Sequence, residues 1–140
     1  MPLMDKKELD TLINDREVEA HQKRNKAKHL IHNIKMELTG HQKTLKAEQR
    51  LLDNYNNKVD SHKENGNKEF KNYIEKHIKA LNKNINSIKK KIKGLEDSIE
   101  IADEKIGQYS DLTYRLDNEE ITLQEGLEEV ERIHNLDSRD

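Results

Sequence analysis

The sequence predicts an all-α fold: a long antiparallel two-helix coiled-coil hairpin followed by a short third helix at the C-terminal end, paired as a dimer. Three observations carry that prediction. Of 140 residues only 31% are hydrophobic and 39% are charged, against about 45–50% and 25% in average proteins, so a narrow apolar seam suits the chain better than a thick core. Apolar residues recur in alternating steps of four and three, the rhythm of coiled-coil helices and not of strands or of a disordered polyelectrolyte. An Asn-Gly pair, Asn65-Gly66, separates two such runs. At about 100–200 residues per domain, the length fits one helical domain over 1–140.

The first helix is expected over about residues 6–61. Its seam reads Ala27, Ile31, Ile34, Leu38, His41, Leu45, Glu48, Leu52, Tyr55 and Val59. His41 is expected as a polar register element or a neutral ring packed by its edge, and Glu48 as a carboxylate bent to solvent. Farther upstream Asp10, Glu17 and Arg24 stand where apolar residues are wanted. Weaker or shifted packing is expected there, although Leu9, Leu12, Ile13, Val18 and Ala20 keep a partial helical period.

Residues 62–67 form the predicted tip, because Asn-Gly readily adopts the positive φ angles that stop a helix. The second helix is expected over about 68–116 and has the cleaner seam: Ile74, Ile78, Leu81, Ile85, Ile88, Ile92, Leu95, Ile99, Ala102, Ile106 and Tyr109. A reversal near Gly66 makes the numbers of facing seam residues add to 133. That pairs Val59 with Ile74, Leu52 with Leu81, Leu45 with Ile88 and Leu38 with Leu95. It also sets Gly40 and Gly94 at one height, where a shared bend or a close helix crossing is expected. Two chains exchanging arms would satisfy the same arithmetic.

Residues 117–121 read as a break. Thr122-Leu-Gln-Glu125 then has capping-box spacing, which opens a short acidic helix over about 122–136. Its stripe of Leu123, Leu127, Val130, Ile133 and Leu136 is expected to fold against Leu9, Ile13, Leu112 and Leu116.

The net charge of −2 hides a strong polarity. Residues 1–65 hold 13 basic and 11 acidic groups, residues 66–95 hold 9 and 2, and residues 96–140 hold 4 and 15. Lys89, Lys90, Lys91 and Lys93 are candidates for binding an acidic protein surface, including that of a second copy, or a phosphate backbone. Leu30, Leu51, His77 and Ile101 lie beside the seam and widen the apolar stripe beyond what two helices cover. Leu30, Leu51 and Ile101 are therefore candidates for a further surface, a dimer contact or a groove for a partner helix.

With no Cys, the chain has no disulfide, thiol nucleophile or cysteine-based zinc site. It has no Gly-rich phosphate loop, no nucleophile elbow and no pair of helical metal-binding His around a Glu. His29 with His32, and Glu131 with His134, share helix faces, but a di-iron bundle wants the Glu-x-x-His element twice and it occurs once. No catalytic, cofactor or metal residue is assigned, and an enzyme is not expected. No apolar run reaches the roughly 18–20 residues of a membrane span and no apolar N-terminal leader is seen, so a cytoplasmic protein is expected.

In charge content, scarcity of aromatics and helical-hairpin plan, the chain resembles small phage capsid scaffolding proteins and the hairpin stalk proteins of flagellar and type III export ATPases. A stiff hairpin with a polar tip and a capped base sets distance and orientation between its ends, and with those resemblances a non-enzymatic assembly or adaptor role with protein partners is expected. Asp60-Ser-His-Lys-Glu64-Asn65 is similar to the acidic hairpin tip of Gre-type transcript-cleavage factors. That likeness of the tip, together with the basic stretch of the second helix, gives the alternative: a nucleic-acid-associated or transcription-regulating protein acting through its tip or its basic second helix.

Overall fold

The computed structural model describes residues 4–59 and 65–138. Helix α1 spans Lys6–Val59, α2 spans Asn65–Asp117, and α3 spans Leu123–His134, continuing into a 3-10 turn at Asn135–Ser138. Among the described residues there is no strand, and no helix is long and apolar enough to cross a membrane.

Three of the helix ends have a chemical reason in the described contacts. At the start of α1 the Asp5 carboxylate accepts from the Glu8 backbone N–H at 2.8 Å, while the Asp5 N–H donates to Glu8 Oε1 at 3.3 Å. This reciprocal cap satisfies two of the amides that a helix leaves open. Helix α2 ends in a Schellman motif: the Glu120 N–H donates to the Arg115 carbonyl at 2.8 Å and the Glu119 N–H to the Leu116 carbonyl at 3.1 Å. The motif needs a left-handed residue, and Glu119 fills that place at φ 54°, where glycine is the usual choice. Helix α3 opens on the expected capping box. Thr122 Oγ1 accepts from the Glu125 N–H at 3.1 Å, and Glu125 Oε1 accepts from the Thr122 N–H at 2.8 Å.

The two long helices pack antiparallel along the predicted seam. Ile31, Ile74, Leu81, Ile85, Ile88 and Ile92 are buried, and Ile34, Leu38, Leu45, Leu52, Tyr55, Ile78, Leu95 and Ile99 are half-buried. The surroundings of the Val59 side chain, and residues 60–64 with most of the predicted tip motif, lie outside the described residues.

The pairing differs from the sequence expectation by about one heptad. Glu48 meets His77 and Tyr55 meets Phe70, pairs whose numbers add to 125. Arg24 meets Asp103 and Lys6 meets Asp117, adding to 127 and 123. The expected total of 133 came from placing the corner at Gly66. Helix α2 begins at Asn65, so residues 65–67 of the predicted tip belong to its first turn and the second helix does not wait until 68. A seam of period seven matches itself again after a shift of seven, so the heptads are retained while Leu52 moves from Leu81 to the level of Ile74. Gly40 and Gly94 then no longer share a level. A Cβ built at either meets nothing within 4 Å, so there is no close helix crossing at these glycines.

The chain divides into two compact units, residues 31–94 and residues 1–30 with 95–140. In the second of these the core is Leu9, Ile13, Tyr109, Leu112, Leu116, Val130 and Ile133, with Leu123, Leu127 and Leu136 packed against it. The predicted docking of α3 is therefore observed. The N-terminal part of α1 is also better buried than its polar sequence suggested, since Leu9, Ile13, Ala20 and Ala27 are all buried. Glu17 and Arg24 continue the seam half-buried, and Arg24 meets its need for a partner by pairing with Asp103 of α2.

Candidate partner-binding surfaces

The unit containing α3 shows how the flank of this seam receives a third helix. Leu9 and Ile13 of α1 and Leu112 and Leu116 of α2 offer apolar side chains, and Val130 and Ile133 of α3 bury fully against them. Gly126 is the point of closest approach, since a Cβ there would lie 2.9 Å from Leu116 Cδ2 and 3.0 Å from Leu9 Cδ2. Polar contacts fix the ends of the contact. Arg132 donates to Gln108 Oε1 at 2.7 Å, and Arg115 lies 3.8 Å from Glu129. Lys105, the one buried charged residue described, donates from Nζ to the His134 carbonyl at 3.0 Å. A cation at that carbonyl satisfies an acceptor that the helix end leaves open and opposes the negative end of the α3 dipole. The seam period did not single out Lys105, because it sits one residue off the a and d positions.

Charges on α3 reflect the same geometry. Hydrogen bonding from the Thr122 backbone and side chain holds the Glu125 carboxyl below the usual glutamate range. The Arg132 hydrogen bond lowers Glu129, and Glu129 in return raises Arg132. At the start of α1, hydrogen bonds to Asp117 and Asp10 raise the Lys6 ammonium. A shallow cleft of 310 Å³ lies beside that pair, lined by Lys6, Leu116, Asp117, Glu119, Ile121, Thr122 and Leu123.

In residues 31–94 the corresponding flank has no described helix over it. Leu51 is 44% exposed, Phe70 44% and Tyr73 67%. The Tyr55 and Phe70 rings meet at 5.8 Å between centroids, and Tyr73 and His77 at 6.3 Å. Tyr73 is thus a surface aromatic, whereas Tyr109 is buried. Glu48 was expected to face solvent; instead its Oε1 lies 3.2 Å from His77 Nδ1 of α2, an ion pair whenever the imidazole is protonated. His41 lies 3.7 Å from Glu37 one turn back on its own helix.

The other candidates belong to different units. Leu30 is exposed and Ile101 half-buried, both in the unit that carries α3, while Leu51 belongs to residues 31–94. Lys89, Lys90, Lys91 and Lys93 are exposed on α2. The division into units also sorts charge: residues 31–94 carry 15 Lys and Arg against 7 Asp and Glu, and the remainder 11 against 21. Among the described residues no group of three His, Cys, Asp or Glu could hold a metal ion. The Asp60 to Asn65 tip motif lies outside the described residues apart from the backbone of Asn65. In comparisons with protein-family models, curated proteins and solved structures, none matched the chain.

Proposed function

We propose that this chain is a non-enzymatic, cytoplasmic assembly or adaptor protein that works as a homodimer and binds protein partners through the flanks of its helical hairpin. The observation that carries the reading is the exposure of Leu51, Phe70 and Tyr73 in a chain with so few hydrophobic residues. Scattered surface hydrophobes are ordinary, but aromatics grouped beside a coiled-coil seam are what helix-in-groove partners use. Opposite charge on the two units adds a means of setting orientation, since a wrongly oriented copy meets like charge.

A second reading follows from the exposed Lys89, Lys90, Lys91 and Lys93: a salt-sensitive phosphate contact along α2. Sedimentation velocity with and without a duplex oligonucleotide separates the two at ~150 mM salt, where weak surface electrostatics are largely screened. The assembly reading expects a dimer that forms with rising concentration and no oligonucleotide co-sedimentation. A monomer that carries oligonucleotide, and loses it when the four lysines become Gln, would replace it with the second.

A further inference from the structure

We infer that the flank of residues 31–94 built by Leu51, Tyr55, Phe70 and Tyr73 is a groove for an acidic amphipathic helix supplied by a protein partner. The inference rests on the adaptor reading and gives it a site and a partner chemistry. The chain itself supplies the comparison. Counting 42 residues, six heptads, forward along α1 carries Leu9 to Leu51 and Ile13 to Tyr55; the same count backward along α2 carries Leu112 to Phe70 and Leu116 to Ile74. Equal and opposite shifts preserve the total of each facing pair, so the four positions keep their mutual arrangement. Where α3 covers the first set, Leu9 is 1% and Leu112 2% exposed; where no described helix covers the second, Leu51 and Phe70 are each 44% exposed.

The occupant's chemistry also follows from α3. That helix presents a Leu-Leu-Val-Ile stripe inward and carries Glu125, Glu128, Glu129 and Glu131 against one arginine. This flank belongs to the basic unit, and on α2 the exposed Lys76 and Lys83 follow Tyr73 by three and ten residues, with Glu69 at the same heptad position as both lysines. An apolar flank in a basic unit fits an acidic helix better than a phosphate backbone, which would satisfy the lysines and leave Leu51 and Phe70 in water.

The probe is a fluorescent peptide of residues 119–138, titrated into the full chain and followed by anisotropy. Saturable binding is expected, weakened by added salt and at least tenfold weaker in the Leu51→Asp, Tyr73→Asp double variant. Both sites are exposed, so the variant's helicity and melting temperature serve as the check that it folds. Binding that the double variant does not weaken would mean exchange with the resident α3 and would overturn the proposal, as would no binding at all. Sedimentation of the unmodified chain keeps the two readings apart. A dimer without peptide binding removes the groove and leaves the adaptor reading, whereas a monomer that also ignores the peptide removes both.

Discussion

Four residues show how little of a coiled coil's individuality lies in its heptads. Gly107 and Gly126 are both helical glycines, yet a Cβ at Gly107 meets nothing within 4 Å and one at Gly126 would press on Leu116 and Leu9. Gly107→Ala is therefore expected to raise stability by about 1 kcal/mol through helix propensity. Gly126→Val should lower it by about 2 kcal/mol through overpacking against α3's partners. Glu119 holds a left-handed turn at φ 54°, so Glu119→Gly should stabilise by about 1 kcal/mol. Thermal denaturation of the three variants checks the set, and a stabilised Gly126→Val would show that α3 is not seated as described. Lys105 makes the related point that a charge can be structural, since this buried residue donates from its Nζ to the carbonyl at the end of α3.

At the scale of elements, α3 carries carboxylates held by specific partners, Glu125 by Thr122 and Glu129 by Arg132. Glu125 and Glu129 both have folded values below the ordinary glutamate pKa, so their stabilisation is complete above that value, about 4.3, and is lost as pH falls through the lower folded values. Hydrogen exchange should show α3 amides losing protection in that acid window before the centre of α2 does. The Glu125→Gln, Glu129→Gln variant should show a flatter acid limb; an unchanged limb would place the acid sensitivity elsewhere. Thr122-x-x-Glu125 and the α3 stripe were legible because capping and amphipathicity are local properties, written in residues three and four apart. The reciprocal Asp5 and Glu8 cap was equally local and is visible once Asp is allowed the role of Ser or Thr.

For the whole molecule, the seam from Ile74 to Ile99 was readable because period and apolarity repeat without interruption. The corner was not, because Asn65-Gly66 is a permissive pair and not an obligatory turn, and α2 runs through it. From that single displacement came the incorrect partners of Leu52, Leu45 and Leu38 and the apparent alignment of Gly40 with Gly94. Contacts that identify the register, Glu48 with His77 and Tyr55 with Phe70, involve a polar seam residue and a flank aromatic, the kinds of residue that hydrophobic periodicity ignores. The candidate surface was half legible: Leu51 and His77 stood out beside the seam, but Phe70 and Tyr73 became part of it only with the corrected register.

The register underlies both the fold and the groove, and the absence of native cysteine makes it directly measurable. Glu48→Cys with His77→Cys, and separately Glu48→Cys with Asn84→Cys, can be treated with a short bis-maleimide at high dilution and resolved by mass spectrometry. The first pair is expected to link efficiently within one chain and the second poorly. Efficient linking of the second pair alone would restore the longer spacing, and linkage of the first only between chains would mean exchanged arms; either result contradicts the account.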